Sequence, residues 1–464
     1  MAYEESPIVS HAHFIGIGGA GMSALARVLI QRGITVSGSD IKESRYSRSL
    51  AKIGAAIHIG HDADNLDDAD VVVYSTAIAP DNPELVSARD RGIALWHRAQ
   101  MLGYLAGDQR TIAIAGTHGK TSTSSMVTAL LRAMGKDPSF CVGGEIDGID
   151  TNAAHGAGEY YVVEADESDG SFIHLNPFIA VVTNIEVDHL DHYAGIDEIK
   201  DTFREFLSNV PDEGCIIVNG DDPSLVGFVR SIGKRVLTYG ARPDCDISYV
   251  ITARKGIASH FDFAIGQKPA GTAVIQAPGE HMVSNACAAL AVAYCAGFDI
   301  QKAAAGLASY TGVRRRFDLI GTACGVTIVD DYAHHPTEVA ATLSAAEKLD
   351  FKRVIALFQP HRYSRTLAFE RAFGQSFEGA GKVVLLDVYS AGEAPIPGVT
   401  GRSICDAIID YDQRAQVAYL PHRKDIIPYT VSQVREGDLV MTLGAGDVTA
   451  IGPELLSELQ KRSA

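Results

Sequence analysis

Three segments of the chain carry residue types and spacings suited to phosphate chemistry. The first is Gly116-Thr117-His118-Gly119-Lys120-Thr121. A glycine-rich turn at a helix start aims backbone N–H groups at an anion. Lys120 is placed to reach the β and γ phosphates of a nucleotide, and the Thr121 hydroxyl to ligate Mg²⁺. The usual G-x-x-x-x-G-K-[ST] spacing would start at Ile114, so this is a shortened loop. The second segment, Glu164-Ala165-Asp166-Glu167, follows an apolar run and puts carboxylates where a nucleotide-bound cation needs ligands. The third covers residues 183–192 and holds His189, His192 and three carboxylates, which suggests a second metal position at His189.

Two more regions carry functional residue types. Gly16-Ile17-Gly18-Gly19-Ala20-Gly21 fits G-x-G-x-x-G, with Asp40 ending the next strand where a ribose-binding acid belongs. Taken alone, that pattern reads as NAD. A UDP group makes the same demands, an anion site for the diphosphate and a carboxylate near the ribose. Towards the carboxyl end, Arg314-Arg315-Arg316 offers a phosphate clamp between domains. Residues 330–338 (DDYAHHPTE) and 359–365 (QPHRYSR) bring further His and Arg residues to consecutive strand ends.

The elements that must position these groups are legible as alternating apolar runs and helical segments. HFIGIGG, ITVSGSD and VVVYSTAI (residues 71–78) read as strands of a first unit, with a helix stopped at Gly33 between the first two. TIAIAG, YYVVEAD, IAVVTNI and CIIVNGDD read as strands of a second. VITARKGIASHFDFAIG and TAVIQAPG read there as antiparallel β, and SNACAALAVAYCAG as an Ala-rich helix. VTIVDDYAHHP, RVIALFQP, KVVLLDVYS and DLVMTLGAGD read as strands of a third. Short continuous apolar runs between helices point to parallel, doubly wound sheets, whose ligands sit at the carboxyl ends of strands. The expected fold is therefore α/β in three domains, each on a mostly parallel sheet. The domains are a Rossmann-like one over residues 1–107, a P-loop ATPase-like one over 108–312 and a Rossmann-like one over 313–464. The polar Asp108-Gln109-Arg110 marks the first boundary.

Composition narrows the classes of function. With 40 Lys and Arg against 57 Asp and Glu, the net charge is −17. Such a chain is a poor non-specific binder of nucleic acid or anionic membrane. No run approaches the length of a membrane span, and MAYEESPIVSHAHF does not read as a secretory signal. Seven cysteines without C-x-x-C make neither a disulfide framework nor a zinc site. A soluble, reduced, cytoplasmic protein is expected, as a monomer or weak homodimer.

Together, GIGGAGM, AGTHGKT, EADESDGSF, NIEVDHLDHY, DDYAHHPTE, FQPHRYSRT and DVYSAGEAPIPG resemble the Mur ligase family, in order and over nearly the whole chain. The resemblance implies an ATP-dependent ligase of peptidoglycan precursor synthesis that uses Mg²⁺, or Mn²⁺. EADESDGSF and DVYSAGEAPIPG look most like members that join L-alanine to the lactyl carboxylate of UDP-N-acetylmuramate through an acyl phosphate. It implies catalytic roles for Lys120, His189, Arg365 and His361, and metal ligation by Thr121, Glu164 and His189. ATP would meet Gly116, Thr117, His118, Gly119, Lys120, Thr121, Ser122, His281, Asn285, Arg315, Arg316 and Asp331. The UDP-sugar would meet Gly18, Gly19, Ala20, Gly21, Met22, Ser39, Asp40 and Ser75. The amino acid would meet Tyr332, His334, Arg362 and Arg365. Three other readings are open: a ligase of a recycled tripeptide, an NAD oxidoreductase, and a non-catalytic nucleotide-binding regulator. The Gly-Lys-Thr loop argues against the oxidoreductase, because hydride transfer needs no ATPase domain.

Overall fold

A computed structural model describes residues 9–107, 109–189 and 192–463. The opening residues 1–8, Asp108 of the first boundary, and Leu190 and Asp191 of the third cluster lie outside the described residues. Three sheets follow one another along the chain.

The first sheet has five parallel strands, ordered in space Ala56–Ile59, Thr35–Asp40, His11–Ile15, Val71–Tyr74 and Ala94–His97. Strand order reverses on either side of His11–Ile15, so a crevice opens beyond its carboxyl end. The turn of residues 16–19 fills that place and leads into the helix Ala20–Gln31. The strand expected over 71–78 is shorter. Its parallel register with Ala94–His97 is used up at Tyr74, and the Ile78 N–H then donates to the Ser75 carbonyl at 3.1 Å in a turn.

The middle sheet has ten strands. Arg110–Ala115 lies at its centre, paired in parallel with Tyr160–Glu164 on one side and Ile179–Val182 on the other. All three strands are buried on both faces, which explains their continuous apolar sequences. This order puts the phosphate loop, the Glu164 segment and the residue 183–189 segment side by side at one edge. Ile247–Lys255, Ala258–Ile265 and Lys268–Ile275 form the antiparallel end of the sheet. The third sheet is ordered Asp318–Ala323, Val326–Asp331, Asp438–Leu443, Arg353–Phe358, Lys382–Leu385 and Val417–Tyr419, parallel except for the first pair.

The cores show how the units are joined. One buried apolar cluster runs from Phe14, Leu25 and Leu29 of the first unit to Tyr161, Phe203 and Phe206 of the middle one. The clusters on the two faces of the third sheet draw only on residues from Phe317 and Ile320 onward, respectively. Apolar burial therefore fuses the first two units, while among the described residues the third joins the middle core only through Val313 at its start and otherwise meets the phosphate-loop edge through polar contacts. Among the described residues no helix is long and apolar enough to cross a membrane. Among the described residues no disulfide joins the cysteines.

Candidate active site

The strand Arg110–Ala115 runs into Gly116 and the helix Lys120–Ala133 starts four residues later. Gly116 has a φ of +130°, and a Cβ there would stand 2.1 Å from the Thr183 hydroxyl. Gly119, with φ +82°, would place one 2.8 Å from the Asn285 side chain. A side chain at either position would be strained. Asn184 holds the loop open: its Oδ1 accepts from the His118 N–H at 2.9 Å and its Nδ2 donates to the His118 carbonyl at 3.0 Å. The first turn of the following helix faces the cleft, where its N–H groups are available to an anion.

Lys120 Nζ donates to the carbonyls of Gly116 (2.6 Å) and Thr117 (3.1 Å) and to Glu167 Oε1 (2.9 Å). Burial works against its charge, but Glu167, Asp166 and Glu164 outweigh it and keep the ammonium protonated. Thr121 Oγ1 donates to Glu164 Oε1 at 3.1 Å, and Glu164 Oε2 accepts from the Gly143 N–H at 2.7 Å. Burial raises the Glu164 carboxyl despite Lys120 and that N–H. A side chain at Gly143 would press on both Glu164 and Thr121, within 2.8 Å, so this glycine belongs to the site although sequence reading passed over it. His189 stands with Nε2 3.7 Å from Glu167 and 3.8 Å from Asp188.

The third unit packs against this edge. Arg365 pairs with Asp188 through 2.9 Å and 3.2 Å bonds across 177 residues of sequence. Both residues are buried. Burial opposes the charge of Asp188, but Arg365 holds the carboxyl well below its usual range. His118 Nδ1 meets Glu338 at 3.2 Å, its Nε2 lies 3.6 Å from Glu186, and the Thr337 hydroxyl donates to Glu186 at 2.8 Å. Burial disfavours charge on His118, but the two carboxylates prevail and raise it to about 9. The contribution of this contact to stability is thus complete below the ordinary histidine pKa of about 6.5 and is lost as pH rises through about 9. Thermal melts should therefore separate wild type from Glu338→Gln near neutral pH, and the gap should narrow above pH 9, where only the contact of Glu338 with Arg316 keeps its charge.

Two cavities lie among the expected site residues, although His361, Arg362 and Arg365 line neither. One, of about 460 Å³, is lined by Ala20, Lys120, Thr121, Glu164, His189 and Tyr332, so all three units contribute. The other, of about 230 Å³, is lined by Ser122, His281, Asn285, Arg316 and Asp331. Arg316 reaches both, 3.8 Å from Glu338. His189, Arg315, Phe317 and Arg362 have φ between +51° and +69°. Such backbone costs about 1–3 kcal/mol per residue and persists where the surroundings dictate it, often at functional sites.

Other expected residues stand differently. Arg315 is tied to the carbonyls of Gly444 (2.7 Å) and Gly446 (3.3 Å). Both Asp331 oxygens accept backbone N–H groups, from Phe317 and Ala333, and burial raises its carboxyl to about 6. His334 and His361 are neutral imidazoles, pushed down by burial to about 3 and about 4. His361 Nδ1 meets Arg365 at 3.3 Å. Arg362 lies 3.9 Å from Glu393 and does not line the larger cavity.

In the glycine loop of the first unit, Asp40 Oδ2 accepts from the Gly18 N–H at 2.9 Å, which ties the second strand end to the loop. Ser39 is fully buried and its hydroxyl donates to Glu84 at 2.6 Å. Met22 is part of the core, Gly19 caps the helix, Gly21 lines a cleft beside Arg98, and Ser75 is half-buried in its turn. Arg98 reaches from this unit to Asp166 (2.8 Å) and Asp169 (3.3 Å) in the middle one.

Comparison with known proteins decides the family. Residues 11–110 match the Mur ligase family catalytic domain, 114–293 the Mur ligase middle domain and 315–446 the Mur ligase glutamate ligase domain. The chain belongs to the Mur ligase family. Among its relatives in that family, the UDP-N-acetylmuramate–L-alanine ligase of Pelotomaculum thermopropionicum is 44% identical over 97% of this chain and 98% of its own length. The enzyme of the same name from Desulforamulus reducens is 45% identical over 97% and 98%. Among solved structures, the UDP-N-acetylmuramate-alanine ligase of Thermotoga maritima superposes with a TM-score of 0.83 at 26% identity, covering 97% of this chain and 99% of that one. A murein peptide ligase from Psychrobacter arcticus gives a TM-score of 0.72 at 26% identity, with the same coverage.

Proposed function

We propose that this Mur ligase joins L-alanine to the lactyl carboxylate of UDP-N-acetylmuramate, with cleavage of ATP to ADP and phosphate, as a step of cytoplasmic peptidoglycan precursor synthesis. The observation that carries the reading is the single cavity shared by Lys120, Glu164, His189, Ala20 and the Arg314–316 run, where two anionic substrates can meet. Full-length relatives of that name at 43–45% identity support it. In this reading residues 1–107 hold the UDP-sugar, 108–312 hold ATP, and 313–464 close over ATP and the amino acid.

A free carboxylate is a poor electrophile, and its oxygen is a poor leaving group. Transfer of the γ-phosphoryl group to that oxygen makes an acyl phosphate. The amine of L-alanine then attacks the carbonyl carbon and inorganic phosphate leaves. Lys120 and the loop N–H groups offset the repulsion between carboxylate and triphosphate. Glu164 and Thr121 form a compact oxygen donor set, with His189 beside it, which fits Mg²⁺ or Mn²⁺. When bound, such an ion neutralises phosphate charge. His281 and Asn285 line the smaller cavity, suited to the nucleoside. Tyr332 and His334, which line the larger cavity, are assigned with Arg365 to the amino acid, and closure would exclude water from the acyl phosphate.

Phosphate release from ATP tests the reading. UDP-N-acetylmuramate with L-alanine should release phosphate. The same sugar with L-alanyl-γ-D-glutamyl-meso-diaminopimelate should not, and NADH should not be oxidised. Release with the tripeptide alone would reassign the amine substrate, and NADH oxidation would reassign the class.

A further inference from the structure

We infer that Glu167 is a positioning residue that stations the Lys120 ammonium at the mouth of the phosphate loop. This rests on the ATP-dependent reading above. An ammonium has three N–H donors, and all three are filled by Gly116 O, Thr117 O and Glu167 Oε1. A phosphate oxygen must therefore take the place of one of these bonds. The two carbonyls belong to the loop that Lys120 itself follows. Glu167 comes from the neighbouring strand end and is the only charged partner among the three. It is 2% exposed, and its Oε2 has no partner among the described residues. The carboxylate thus has spare capacity to keep hold of the ammonium while the lysine turns one donor to phosphate.

Glu167 is itself held from several sides. Its carbonyl accepts from the Gly170 N–H at 3.0 Å and the Tyr193 hydroxyl at 2.5 Å. Arg98 of the first unit clamps Asp166 and Asp169 around it. Oε1 also lies 3.7 Å from His189 Nε2. Glu167 does not line the catalytic cavity, so it acts through Lys120 and does not touch substrate. A fixed carboxylate behind a mobile lysine aims the charge. It adds nothing to nucleotide affinity, because it also repels the phosphates. Misaiming a catalytic group by about 1 Å costs on the order of 10²-fold in rate.

Glu167→Gln keeps shape and a hydrogen-bond acceptor but removes the charge. The expected result is a fall in kcat of about 10- to 100-fold. ADP affinity by calorimetry should be unchanged or tighter, and the melting temperature should fall less than in Lys120→Met, because the ammonium keeps its two carbonyl partners and an amide oxygen. Glu167→Asp, with charge but one methylene less reach, should stay well below wild type. A second readout needs no turnover. The Lys120 ammonium should give a nitrogen-15 signal protected from exchange with water in wild type and lost in Glu167→Gln. Wild-type kcat with a protected signal in Glu167→Gln would overturn the inference. So would a loss of ADP affinity equal to the loss in kcat/KM. If wild type fails to turn over ATP, the functional reading fails, while the ammonium signal still decides the role of Glu167.

Discussion

Lys120→Met is expected to reduce ligation by at least about 10³-fold, the scale on which removing one preorganised charge partner of a transition state acts. UDP-N-acetylmuramate affinity should stay within about two-fold, since the glycine loop of the first unit remains intact and such separated sites behave independently. The loss belongs to kcat as much as to ATP binding, because Lys120 meets charge that develops on the transferring phosphoryl group. The substitution also strands Glu167, a buried carboxylate 2.9 Å from the missing ammonium. An unpaired buried charge destabilises, so Lys120→Met/Glu167→Gln serves as the control. The double variant should recover thermal stability and remain inactive. Steady-state kinetics, calorimetry with UDP-N-acetylmuramate and thermal melts read the three effects separately. Loss of sugar affinity with ATP affinity kept would reverse the assignment of the two binding units.

Arg365→Ala should lower turnover by about 10²- to 10³-fold, with UDP-N-acetylmuramate affinity retained. Arg365 is the third unit's buried partner for Asp188, beside His361 and 3.3 Å from its ring nitrogen. Removing one member of a buried pair costs about 3–5 kcal/mol in the state where the pair forms. Here that state is the closed one, because the third unit has its own apolar cores and meets the phosphate loop through ionic and hydroxyl contacts. The closed population should fall, and with it the shielding of the acyl phosphate from water. Small-angle scattering with UDP-N-acetylmuramate and a non-hydrolysable ATP analogue should show compaction in wild type and less in Arg365→Ala. An equal radius of gyration in the two proteins, with both ligands bound, would separate Arg365 from closure. Asp188→Asn/Arg365→Ala should be less unstable than Arg365→Ala alone, since no unpaired carboxylate is left behind.

The strands around the phosphate loop were legible because parallel strands buried on both faces read as unbroken apolar runs, as in TIAIAG and YYVVEAD. The polar clusters at their ends were legible for the same reason: the runs stop where the chain leaves the sheet. Strand length was less so. Nothing in VVVYSTAI announces that its partner runs out at His97. Pairings between units were not legible at all. Asp188 and Glu338 lay inside segments already singled out, yet their partners Arg365 and His118 are fixed only once three sheets are stacked. Arg98 carried no signal, since a lone arginine at a helix start has many uses. The contact between Asp40 and Gly18 was not legible either, since the motif gives residue types and spacing but not which loop N–H meets the carboxylate.

The fate of one oxygen atom tests the proposed chemistry most directly. UDP-N-acetylmuramate carrying a heavy oxygen isotope in its lactyl carboxylate is incubated with the protein, ATP and L-alanine, and the released phosphate is analysed by mass spectrometry. Activation as an acyl phosphate transfers one carboxylate oxygen to phosphorus, so each phosphate released with product should carry one label. Ligated product accompanied by unlabelled phosphate would contradict that route.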